Sequence, residues 1–415
     1  MGWTPPPLEP WVASVNAIGR NLGDNGTSIV SLDDDAIIEA AVAGTGLADF
    51  GDDWWREPFS VLLGSLREEA DLTLAGRLLA RGEVQRLLQS RLRLVDAWSR
   101  DPSLAEGAIP APIFVTGLGR SGTTFLHELL AEDPANRVPM LWETMYPVPP
   151  PTTATYTTDP RIGAAHDEIR VMDAMIPAFT AMHENAGDLP TECIFIFAHQ
   201  FVCDMFLGQY NCPTYAIWQS GIDKAPLYEF HRKTLSLLQS RHAGARWVLK
   251  APSHLSQLAN LFSVYPDARV VITHRDPLKV VGSLADLMAT LQAMRTDHVD
   301  YDAIIALIAF GSWSQLDRVT DDRDTGALPD AQIADVVYRD LVSDPIGTVH
   351  ALYDRWGLEV SHDYAAALER HVQQRAQHRH GAHEYRFEDT GLDLATERAR
   401  VAPYQERYGV PSEVS

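Results

Sequence analysis

From Gly117 to Thr124 the chain reads Gly-Leu-Gly-Arg-Ser-Gly-Thr-Thr. A short apolar run, Ile113-Phe114-Val115-Thr116, leads into it, and residues 123–130 read as a helix. In that strand–loop–helix context the Gly117 to Gly122 spacing is that of a phosphate loop. Glycines let successive backbone N–H groups point inward, and the helix N-terminus adds a dipole that favours an anion. A nucleotide triphosphatase would carry a lysine after the second glycine, but Thr123 stands there. The cation lies inside the loop, at Arg120, and no Walker-B acidic residue for magnesium is evident. A phosphate held by Gly119, Arg120, Ser121, Gly122, Thr123 and Thr124, with a fixed guanidinium and no metal, is the chemistry this pattern suits.

Further reactive side chains recur at the ends of apolar runs. Lys250, in Leu249-Lys250-Ala251-Pro252-Ser253-His254, ends one. Arg275, in His274-Arg275-Asp276-Pro277, ends another, and Ser283 follows it by eight residues. One turn plus the pitch of a helix brings such an Arg and Ser to a single phosphate. Glu143 and His254 are the candidates for a general base. The histidine needs little tuning for that task, whereas the glutamate needs a partly desolvated site. His183 and Glu192, flanking Asp188-Leu189-Pro190, form a third polar cluster next to apolar residues.

These residues require an α/β fold: a P-loop-like central parallel sheet flanked by helices, with an N-terminal helical region and a helical insertion. Strands are expected at 113–116, 247–249, 269–273 and 335–338, with helices at about 123–130, 253–264, 278–294 and 346–356 between and after them. Buried strands alternating with helices make a parallel sheet covered on both faces. Ligands bind beyond the carboxyl ends of such strands, where Arg120, Lys250 and Arg275 fall. Residues 1–108 read as an N-terminal helical region and 109–415 as the α/β domain. An insertion at about 145–240 opens on a proline- and threonine-rich stretch and continues with many Met, Phe and Tyr residues. Adaptable apolar side chains of that kind suit a hydrophobic acceptor.

The chain has 415 residues, 46% hydrophobic, and a formal net charge of −22, which argues against a nucleic-acid partner. No run of eighteen or more apolar residues suggests a transmembrane helix. Three cysteines without metal-ligand spacing suit a reducing, cytoplasmic compartment and no metal site.

The loop resembles the 5′-phosphosulfate loop of the sulfotransferase superfamily, in which a basic residue precedes Ser-Gly-Thr-Thr. Protein-tyrosine sulfotransferases and many bacterial members place an arginine there. The resemblance implies that Arg120, Ser121, Gly122, Thr123 and Thr124 hold the 5′-phosphate and sulfate of 3′-phosphoadenylyl sulfate (PAPS), with 3′,5′-ADP as product. It assigns Arg275 and Ser283 to the 3′-phosphate and Tyr338, in Tyr338-Arg339-Asp340-Leu341, to the adenine. Arg379 and Gly381 fall where many members carry a lid over the 3′-phosphate. Lys250 resembles the strand-end lysine that bridges donor and transferring group. Glu143 matches the catalytic glutamate of protein-tyrosine sulfotransferases. His254 resembles the catalytic histidine of cytosolic sulfotransferases, displaced by two residues. The expected activity is sulfuryl transfer to a hydroxyl of a hydrophobic small molecule or glycolipid. A kinase or triphosphatase of the same fold, and a non-catalytic nucleotide-binding protein, are the alternatives.

Overall fold

Five short segments pair side by side in the order β2-β3-β1-β4-β5, every neighbour parallel. They are β1 (Ile113–Gly117), β2 (Asn136–Arg137), β3 (Arg246–Lys250), β4 (Arg269–His274) and β5 (Ile333–Val337). The computed structural model describes residues 3–177, 179, 186–377 and 387–414. His183, Arg379 and Gly381 lie outside the described residues.

The strands read as apolar runs because both faces are covered. Phe114, Leu249, Val270, Ile272 and Ile333 face one cluster, which continues into the N-terminal helices through Leu63, Leu88 and Leu92 and into the insertion through Phe197, Phe201 and Tyr228. Ile113, Val115, Val248, Val271 and Val336 face the other, against Leu126, Leu129, Leu352 and Leu368. The period-two alternation of a strand thus splits one apolar run between two cores.

Register sets the edge where chemistry gathers. Val115 pairs with Lys250, Gly117 with Thr273, and His274 with Val337. The carboxyl ends of β1, β3, β4 and β5 therefore finish close together. Asp276 fixes the exit from β4: its carboxylate accepts from the N–H of Leu278 at 3.1 Å, and Pro277 opens the helix Pro277–Ala293.

The expected strands and the helices after β1, β4 and β5 are present, with three differences. β2 has only two residues, Asn136 and Arg137, too short for an apolar run to betray it. The segment after β3 starts as a 3-10 helix, Pro252–Gln257, and becomes α-helical only at Leu258–Val264. Tyr338, expected at the end of a strand, instead opens the helix Tyr338–Ser343. No described helix is long and apolar enough to cross a membrane.

Candidate active site

The loop leaves β1 at Gly117, whose φ is +147° and whose added Cβ would lie 2.4 Å from the Thr273 carbonyl oxygen. Gly122, at φ +96°, caps the helix Thr123–Ala131, and a Cβ there would lie 2.8 Å from Cδ2 of Tyr338. Both positions combine left-handed backbone with close approach, so only glycine fits. Arg120 also has positive φ, +67°. A non-glycine residue held so costs on the order of 1 kcal/mol, and such strain clusters at binding sites.

Ser121 turns inward. Its hydroxyl lies 2.6 Å from the Leu118 carbonyl and 2.7 Å from the Thr273 hydroxyl, and it is 1% exposed. It braces the loop against β4 rather than projecting from it. Thr124 projects and is exposed. The first N–H groups of the helix at Thr123 have no carbonyl of their own helix to meet, so they are available to an anion.

Two clusters flank this loop. In the first, Arg120 Nε donates to the Ser283 hydroxyl at 3.2 Å, and Arg275 Nη1 donates to the Arg120 carbonyl at 3.0 Å. The Arg275 guanidinium sits 4.0 Å from the centre of the Tyr338 ring. Arg120, Arg275, Ser283 and Tyr338, spread over more than 200 residues of sequence, thus adjoin one another. Beneath them His274 is buried, with Nε2 2.9 Å from an Asp335 carboxylate oxygen and Nδ1 2.7 Å from the Tyr404 hydroxyl. Burial holds its pKa below the usual value.

In the second cluster, Lys250 Nζ lies 2.5 Å from a Glu192 carboxylate oxygen and 3.2 Å from the Thr124 hydroxyl. The Cys193 N–H donates to the Lys250 carbonyl at 2.8 Å, which ties Glu192 to the end of β3. The ammonium is almost buried, whereas the Glu192 side chain is 17% exposed. His127 lies nearby under β3; burial, reinforced by the Lys250 charge, pushes its pKa down to about 4. His127 is therefore neutral at neutral pH.

The two expected bases are both enclosed. Glu143 is 0% exposed and pairs through both oxygens with Arg137, at 3.1 and 2.8 Å. It also accepts from the Met140 N–H and the Tyr156 hydroxyl, each at 3.1 Å. Arg137 belongs to β2 and pairs beside Trp247, near the start of β3 rather than its carboxyl end. His254 is also 0% exposed. It faces Phe114 and Phe197 edge-on and bonds the Tyr228 hydroxyl through Nδ1 at 2.8 Å. Burial drives its pKa well below the ordinary value. Sequence reasoning missed how completely each is enclosed. For Glu143 the missing signal was Arg137, whose partnership depends on an unrecognised two-residue strand. For the Lys250–Glu192 pair the missing signal was the backbone contact from Cys193 to Lys250, which no local pattern encodes.

Among the described residues, no three or more His, Cys, Asp or Glu side chains gather as a metal site. The sheet order and the glycine loop at the carboxyl edge define an α/β protein of P-loop-like fold. More particularly, the chain belongs to the sulfotransferase family, whose model matches residues 112–363. It is similar to the omega-hydroxy-beta-dihydromenaquinone-9 sulfotransferase Stf3 of Mycobacterium bovis, 25% identical over 289 residues, covering 68% of this chain and 71% of that one. Its fold matches the crystal structure of sulfotransferase STF1 from Mycobacterium tuberculosis H37Rv with a TM-score of 0.79 at 33% identity, over 89% of this chain and 98% of that one. STF9 from Mycobacterium avium superposes with a TM-score of 0.84 at 27% identity, over 92% and 98%. The chain is a sulfotransferase.

Proposed function

We propose that this sulfotransferase moves the sulfuryl group of PAPS to a hydroxyl of a hydrophobic, lipid-like acceptor, with Glu192 as general base. The observation that carries the base assignment is the Lys250–Glu192 pair, 2.5 Å apart and bonded to Thr124 at the mouth of the loop. The site's donors fit a nucleotide with two phosphate positions. Arg120 and the amides of Gly119, Gly122, Thr123 and Thr124 would hold the 5′-phosphosulfate, Arg275 and Ser283 the 3′-phosphate, and Tyr338 the adenine. When bound, PAPS supplies an activated sulfuryl group on a phosphate leaving group.

The chain's own residues then have three tasks. The glycine loop and Arg120 offset negative charge on the leaving phosphate, positioned before reaction so that no reorganisation is needed. Lys250 neutralises charge between donor and acceptor and holds Glu192 in place. Glu192, with one oxygen engaged by Lys250 and a partly exposed carboxylate, takes the proton of the acceptor hydroxyl. In this reading Glu143 and His254 are structural, and Ser121 shapes the loop rather than touching the nucleotide.

A lipid acceptor is supported by two features. The menaquinone relatives are named for a hydroxylated lipid quinone. The Glu192 segment also adjoins the cluster around Trp142, where Met140, Met172 and Phe195 are only half-buried. A cytoplasmic setting with access to lipid belongs to the same reading. Glu192→Gln should lower turnover by about 10²- to 10⁴-fold, the span of general-base contributions, while 3′,5′-ADP affinity stays near that of the parent protein. Undiminished turnover would remove Glu192 from the role. A panel of hydroxylated acceptors of rising chain length, run with labelled PAPS, tests the lipid class.

A further inference from the structure

Arg275 has two hydrogen-bonding edges. Nη1 reaches the Arg120 carbonyl. The other edge, Nε and Nη2, meets both carboxylate oxygens of Glu413, each at 2.8 Å. Glu413 comes from the segment after the helix Leu394–Tyr408, 138 residues along the chain from Arg275.

That segment is fastened to the site. Asp276, the residue after Arg275, accepts from the N–H groups of Glu413 at 2.6 Å and Val414 at 3.2 Å. Arg398 pairs with both oxygens of Asp276, at 2.8 and 3.0 Å, and donates to the Val414 carbonyl at 2.7 Å. The backbone is therefore held on buried Asp276, while the Glu413 side chain extends to the neighbouring guanidinium and stays 28% exposed.

A carboxylate and a phosphate make the same bidentate pair with one edge of a guanidinium. They cannot share that edge, and both carry negative charge. We infer that Glu413 is a resident competitor at the 3′-phosphate subsite. It holds Arg275 when no nucleotide is bound, and the donor's 3′-phosphate takes its place. The inference rests on Arg275 being the 3′-phosphate ligand, as proposed above.

The backbone anchor on Asp276 need not break for this exchange, because rotation of the Glu413 side chain is enough. The displaced carboxylate then stays close to the incoming phosphate, so part of the binding energy is offset by their repulsion. Two consequences follow for specificity. A nucleotide without a 3′-phosphate need not displace Glu413, so the competitor weakens only the bisphosphorylated form and narrows the affinity gap between the two. On release of product, Glu413 recaptures Arg275.

The test is calorimetric binding of 3′,5′-ADP and of 5′-AMP at one ionic strength, to the full chain and to Glu413→Gln, Glu413→Ala and Arg275→Ala. Both Glu413 variants should bind 3′,5′-ADP about three- to thirtyfold more tightly, with 5′-AMP affinity unchanged. Because the side chain lies at the surface and two different replacements are used, a folding fault in one leaves the other to read. If both Glu413 variants bind 3′,5′-ADP no better or worse than the parent, while Arg275→Ala weakens it, Glu413 merely orients Arg275 and the competitor is refuted. If Arg275→Ala weakens 3′,5′-ADP no more than 5′-AMP, the subsite assignment itself fails and takes the inference with it.

Discussion

Two glutamates show how contacts, rather than residue type, decide a role. Glu143 and Glu192 each meet a cation. The Glu143 carboxylate is enclosed by Arg137, a backbone N–H and a tyrosine hydroxyl, with no exposed surface. Glu192 meets Lys250 through one oxygen and keeps some access. Glu143→Gln should therefore act on stability. It leaves Arg137, itself 4% exposed, without its counter-charge, at a cost of about 3 kcal/mol or more. Denaturant unfolding measures this, and turnover per folded molecule should stay within about twofold of the parent, in contrast to Glu192→Gln. A loss of turnover at unchanged stability would restore Glu143 as the base. Lys250→Ala should reduce turnover and also release Glu192, so the double variant Lys250→Ala/Glu192→Gln should cost less than the sum of the two single losses. Additive losses in a double-mutant cycle would mean the two act separately.

Among the elements, the phosphate loop depends on where its glycines lie against β4 and the Tyr338 helix. Gly122→Ala puts a methyl into the Tyr338 ring at strained φ, so 3′,5′-ADP affinity should fall by about tenfold or more. Calorimetry that finds the affinity unchanged would mean that Tyr338 gives way and does not define the site. Much at this scale was legible beforehand. The apolar runs at β1, β3 and β4 and the glycine spacing carry their own signal, since a strand covered on both faces reads as apolar through its centre; the edge strand β5, with exposed Asp335 in its middle, carries a weaker one. Arg120, Lys250 and Arg275 were readable because each follows such a run. β2 was not readable, because two residues have no periodicity. Nor was Glu413: a contact across 138 residues, made through a surface carboxylate, leaves no trace in local pattern. The enclosure of His254 was equally hidden, because its aromatic neighbours Phe114 and Phe197 come from β1 and from the insertion.

For the whole molecule, one continuous apolar cluster joins the N-terminal helices, the insertion and one face of the sheet. A ligand seated at the carboxyl edge should stabilise the entire chain by mass action, by about 2.7 kcal/mol at a hundred times its Kd. The acidic chain, at −22, gathers Arg120, Lys250 and Arg275 at that edge, and these cations should make nucleotide affinity fall as salt rises. The most direct test of the central claim compares two ligands by thermal unfolding: 3′,5′-ADP without divalent metal, and ATP with magnesium. A site built for PAPS predicts a clear upward shift with 3′,5′-ADP, abolished by Arg120→Ala, and a smaller one with ATP and magnesium. A larger shift with ATP and magnesium, insensitive to Arg120, would contradict it.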